Sequence, residues 1–190
     1  THEPLDRIEQ KRQGTILVNQ FVDKRKDTEH IGNKRNMFGA VLGHVGTEEG
    51  VRLNILLTEH FAEALREAGY NAVILDAKTA AGTETIINDA VIDGEITEFW
   101  LDLYMAVWHK VEVKLTATDP SRKDVLWTKV VRGSQTNVLW LGISSEFEAA
   151  IRQALTKALN NAANDFASEE FFSSVSRTKK PLPEAGGVPR

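Results

Sequence analysis

The last regular stretch of this chain limits its fold most strongly. Phe147, Ile151, Leu155 and Leu159 recur every four residues, and Ala150, Ala154, Ala158 and Ala162 widen the same stripe. That spacing puts all of them on one face of an α-helix. Ser145 and Glu148 match the capping box that opens a helix. So many alanines on one face let the helix axis come close to whatever it covers, and the surface that suits such an approach is a sheet.

The segments before it supply the sheet. Val107 to Thr118 alternates strictly, with Val107, His109, Val111, Val113, Leu115 and Ala117 on the apolar side. Ala90 to Tyr104 carries Ile92, Gly94 and Ile96 on one face and then switches parity to Phe99, Leu101 and Leu103, which predicts a bulge near Thr97-Glu98. Asp119 to Asp124 reads as a hairpin connection to a returning strand, Val125 to Arg132. Two further strands are expected at Thr15 to Val22 and Tyr70 to Leu75. Between them lies a helix opened by Thr47 as N-cap, with Glu48 and Glu49 in its first turn and Leu53, Leu57, Phe61 and Leu65 as its apolar stripe. Gly69 closes it. The predicted fold is α+β, a single mixed or antiparallel sheet with two helices on one face, in the order β-α-β-β-β-β-α.

With 190 residues, 42% hydrophobic and 26% charged, the chain has enough material for one core. We place that domain at 14–175, between a polar arm at 1–13 and a Pro/Gly-rich tail at 176–190. The net charge of -4 gives no electrostatic pull toward nucleic acid. The chain has no cysteine, which removes disulfides, thiolate metal ligands and Cys nucleophiles together. No run approaches the roughly 20 apolar residues that span a bilayer.

Motifs that carry chemistry are missing. Gly32, Gly39, Gly43 and Gly46 punctuate a stretch read as a connecting loop; they fit neither G-x-G-x-x-G nor a P-loop. His2, His30, His44, His60 and His109 show no metal-ligand spacing, and His109 falls on an apolar strand face, as a half-buried and hydrogen-bonded imidazole would. Asp93 and Glu95 share a strand face and read as solvent-facing acids rather than a glycosidase pair. Asp23 with Arg25 reads as a structural polar cluster. No catalytic, metal-binding or cofactor-binding residue is assigned.

The tryptophans divide. Trp108 belongs to the polar face of its strand, while Trp100 and Trp127 are expected at core edges. Trp140 lies in the apolar run Val138 to Ile143, in a connection where polar residues are the rule. Either Trp140 is buried beneath the sheet, or Leu139, Trp140 and Leu141 form a contact surface; the second is the binding site expected here.

The strand end Phe21-Val22-Asp23-Lys24-Arg25, the Ile31-Gly32 pair and the helix end Leu65-Arg66-Glu67-Ala68-Gly69-Tyr70 resemble the YajG-type family of bacterial envelope lipoproteins. Ile92-Asp93-Gly94-Glu95-Ile96, Trp127, Arg132-Gly133 and the Ala-rich last helix extend the likeness over residues 15–165. The resemblance implies a secreted domain on the periplasmic side of the cell envelope, tethered by a lipid upstream of Thr1. It implies no catalytic residue and no cofactor. The expected function is a non-catalytic binding or accessory subunit of an envelope complex, with an envelope protein as partner and no nucleic acid. Two alternatives stand beside it. A small-ligand or lipid carrier would need an apolar cavity between sheet and helices. An enzyme acting on cell-wall or lipid substrates would need a cleft of convergent ionisable groups.

Overall fold

Strand β6 (Ala90–Leu103) is the spine of the molecule. The computed structural model describes residues 14–75, 88–121, 123–138 and 144–176. On one edge, β6 pairs antiparallel with β7 (Ala106–Thr118), which pairs antiparallel with β8 (Val125–Val138). On its other edge three short strands follow one another, all parallel to it. These are β1 (Thr15–Asn19), β2 (Val22–Asp23) and β3 (Gly32–Arg35). β5 (Asn71–Leu75) extends the sheet beyond β1 in parallel, and β4 (Val41–Val45) extends it beyond β3 in antiparallel. Helices α1 (Leu53–Glu67), α2 (Ser144–Ala167) and α3 (Glu169–Ser176) complete the described elements. One apolar core joins Leu57, Phe61 and Leu65 of α1 to Ile16, Ile92 and Val113 of the sheet and to Ala154, Ala158 and Ala162 of α2. The fold is α+β with a mixed sheet, as the sequence predicts. The register shift between Ile96 and Glu98 supplies the bulge, so that Ile96 and Phe99 both point into the core.

Several boundaries differ from the sequence reading. The Gly-punctuated loop contains the β3–β4 hairpin. Gly32-Asn33-Lys34-Arg35 has no apolar alternation, and its strand state comes from pairing with Leu101 to Leu103, a contact distant in sequence. A Cβ at Gly32 would collide with the Leu101 carbonyl, so the close pairing needs glycine. Helix α1 starts at Leu53, not Thr47. Gly50, at φ 83°, closes a turn in which the Val51 N–H donates to the Glu48 carbonyl, and a helix cannot run through that conformation. Strand β8 runs six residues past Arg132, to Val138. Helix α2 starts at Ser144, which puts Ser145 inside the first turn rather than at the cap. A third helix, α3, follows Ser168, whose Oγ accepts the Phe171 N–H at 3.2 Å. Phe171 is fully buried and packs edge-on against Tyr70 and Trp127.

The face of α2 against the sheet also needs correcting. Phe147, Ile151, Leu155 and Leu159 are only partly buried, whereas Ala150, Ala154, Ala158 and Ala162 are completely buried. The contact line is the alanine row, and the larger side chains flank it. Gly133 of β8 explains this. A Cβ there would strike the Ala154 carbonyl oxygen and lie 2.7 Å from the Ala158 nitrogen, so the helix backbone rests almost directly on the strand. A prediction separates the two stripes. Phe61→Ala removes a fully buried ring and should cost about 3–5 kcal/mol in urea unfolding. Leu155→Ala should cost well under half of that, and equal losses would mean that Leu155 shares the buried face.

Candidate functional site

The exposed surface is most unusual at the end of the sheet where β3, β4 and the β6–β7 turn meet. The β3–β4 turn is held rigidly. Asn36 Oδ1 accepts the N–H groups of Phe38 and Ala40, each at 2.9 Å. The Asn36 N–H donates to the Ala40 carbonyl and the Gly39 N–H to the Asn36 carbonyl, both at 2.9 Å. Gly39, at φ 83°, takes the left-handed conformation the turn requires. Arg35 braces it from beneath, donating through Nε to Asp102 at 2.8 Å and through Nη1 to the Gly39 carbonyl at 3.1 Å. Braced in this way, the turn holds Met37 and Phe38 out to solvent, 69% and 86% exposed.

The β6–β7 turn stands beside it. The Tyr104 N–H donates to the Ala106 carbonyl at 2.9 Å, and the Tyr104 hydroxyl donates to the Met37 carbonyl, tying the two turns together. The Tyr104 ring stacks on Trp108, with centroids 6.3 Å apart. Met105 projects from the turn, 69% exposed, and Leu42 of β4 and Val138 of β8 add exposed apolar surface at the same end. An open depression of about 400 Å³ separates the turns, lined by Arg35, Phe38, Asp102 and Trp108 among others. The Arg35–Asp102 pair neutralises itself, and Lys34 of β3 is exposed close by. The charged network of the outward sheet face lies farther along the strands. There Glu112 accepts from Arg132 Nε at 2.7 Å, and that bond holds its carboxyl below the usual range.

The expected contact residues Leu139, Trp140 and Leu141 lie outside the described residues. The chain reaches them from Val138, which stands opposite Ala106 at this same end of the sheet. Met37 and Phe38 were missed in the sequence. The signal that could have found them is the one that marked Trp140, large apolar residues in a connection.

The other candidates have structural partners. Arg25 is buried and spends its guanidinium on Asp23, at 2.8–3.2 Å, and on the carbonyls of His30, Phe99 and Thr28. Asp93 and Glu95 lie on the outward face of β6, partly exposed to solvent. Asp93 accepts from Asn19 at 2.6 Å, and Glu95 lies 3.7 Å from Lys114. His30 and His44 stack at 4.3 Å, and His30 Nδ1 lies 3.0 Å from Asp27. Among the described residues no three His, Cys, Asp or Glu side chains gather as a metal site would require. His109 overturns its expectation. It is 2% exposed, packed edge-on to Phe99, and neither ring nitrogen has a partner of hydrogen-bonding geometry. Burial pushes its pKa down to about 4; the Trp100 backbone pulls weakly the other way without forming a proper bond. Buried in this way, the imidazole is out of reach of a substrate.

No family model and no curated protein matches the sequence. Solved structures match it in shape. A Xanthomonas campestris protein of the DUF330 family superposes with a TM-score of 0.56 at 13% identity, over 88% of this chain and 90% of that one. A neuraminyllactose-binding hemagglutinin homolog from Helicobacter pylori gives 0.53 at 12% identity, over 93% and 98%. A lipoprotein from Neisseria meningitidis gives 0.48 at 15% identity, over 80% and 99%. The chain thus has the α+β fold of the first two proteins. None of the three is described as YajG-type, and at these identities the likeness extends to the fold and no further.

Proposed function

We propose that this is a non-catalytic binding or accessory domain of a bacterial envelope lipoprotein, facing the periplasm, and that it binds through the apolar end of its sheet. One observation carries the reading: a turn braced by Asn36 and Arg35 presents Phe38 to solvent at 86% exposure. A large side chain exposed without purpose is an aggregation liability, and a braced turn does not collapse to hide it. The envelope setting rests on the sequence resemblance over residues 15–165. The carrier alternative lacks support where it would need it, because the alanine row of α2 and Gly133 fill the space between helix and sheet. The enzyme alternative would need ionisable groups that converge on a cleft, whereas Asp23 pairs with Arg25, Asp27 with His30 and Asp102 with Arg35.

The test places a photo-activatable residue at position 38 of the full-length protein in intact cells, with position 55 as control. Ile55 is also exposed, but on α1. Adducts are expected from position 38 and not from 55; none at 38, or equal yields, would overturn the reading. The double variant Met37→Ser/Phe38→Ser is expected to keep its stability within about 0.5 kcal/mol, since neither side chain is buried. A loss of several kcal/mol would show that the end is packed and not a free surface.

A further inference from the structure

The shape and charge of the apolar end narrow what can occupy it. Its most exposed side chains, Met37, Phe38 and Met105, stand on two adjacent turn tips beside an open depression. A stable protein interface takes roughly 20–30 residues a side with matching shape. Two turn tips and their neighbours fall well short of that. Pairing along β4 is also poorly supported, because that edge strand has only five residues, with Gly43 at its centre. The longer β8 edge is partly blocked, since Asn161 and Lys157 of α2 donate to the Arg132 and Ser134 carbonyls.

A lipid surface asks for less: a few large apolar side chains that protrude, amphipathic aromatics behind them, and little charge. Tyr104 and Trp108 stack just behind the tips, and rings of this kind favour the headgroup level of a bilayer. The Arg35–Asp102 pair is internally neutral; Lys34 attracts an anionic leaflet, while Glu148 in the first turns of α2 and the chain's net -4 oppose it. We propose that this end docks on a lipid surface, with Met37, Phe38 and Met105 entering the boundary between headgroups and acyl chains. The proposal deepens the binding reading above and rests on it.

Vesicles of phosphatidylcholine, alone or mixed with phosphatidylglycerol, test it by co-sedimentation. The protein should bind both, with a gain of at most about fivefold from the anionic lipid, as one lysine would provide. Met37→Ser/Phe38→Ser should bind both vesicles at least about tenfold more weakly, the loss expected when a buried aromatic is removed. Ile55→Ser should bind like the unmodified chain. Absence of vesicle binding, binding to the anionic vesicles alone, or full binding by the double variant would each overturn the proposal. So would a dimer or larger assembly that the double variant dissolves, because the end would then be a contact between copies. Protein adducts at position 38 without vesicle binding would end the lipid assignment and leave the binding reading standing.

Discussion

Gly133→Val is expected to lower stability by about 3 kcal/mol or more, with a fall in Tm of about 10 °C. The argument is geometric. The missing Cβ of Gly133 would strike the Ala154 carbonyl oxygen and crowd the Ala158 nitrogen, both of them helix backbone. A flexible side chain could turn aside, but a helix backbone can yield only by moving α2 away from β8. Ala150, Ala154, Ala158 and Ala162 would then lose contact together, which is why one small substitution should act over several turns. Gly133→Ala meets the same oxygen with one carbon and should cost somewhat less. Urea unfolding of both variants tests this. An unchanged midpoint would mean that α2 is not seated on β8 as described.

Lowering the pH from 7 to 5 is expected to cost about 2 kcal/mol of stability through His109 alone. In the unfolded chain this imidazole titrates near 6.5, and in the fold burial pushes it down to about 4. Between those values the unfolded state binds the extra proton. The stabilisation is therefore complete above about pH 6.5 and is lost as the pH falls toward 4. Asp27, Glu112 and Asp119 are also shifted downward, below the ordinary carboxylate values, so their contributions fade only at lower pH. His109→Leu should flatten the stability profile between pH 5 and 7. At pH 7 it should be no less stable than the original, because an apolar side chain of similar size leaves no buried nitrogen unpaired. If the variant keeps the full slope, the pH dependence arises elsewhere.

Much of the candidate site escaped the sequence reading for a physical reason. Met37 and Phe38 belong to a segment with no helical or strand periodicity, and periodicity is the main signal a single sequence offers. Their meaning comes from Asn36, Gly39, Arg35 and Asp102, which together hold the turn open. Arg35 and Asp102 are 67 residues apart, and no local pattern announces that pairing. His109 was placed correctly on an apolar face. That no hydrogen bond waits for it there depends on its neighbours Phe99 and Leu101 across the sheet.

Local chemistry by itself determined the strict alternation of β7, the bulge after Ile96, the turn at Asp119, the stripe Leu53/Leu57/Phe61/Leu65 and the helical state of 145–167. Each follows from a two-residue or four-residue repeat, or from turn and cap residues close together in the chain. Only the tertiary structure decided that Gly32 to Arg35 is a strand, that alanines rather than Leu155 face the sheet, and that two distant turns meet in one apolar end. Those outcomes depend on pairings between remote segments. The closeness of a remote backbone, as at Gly133 beneath Ala154, sets how large a side chain can be, and no repeat within a segment records it.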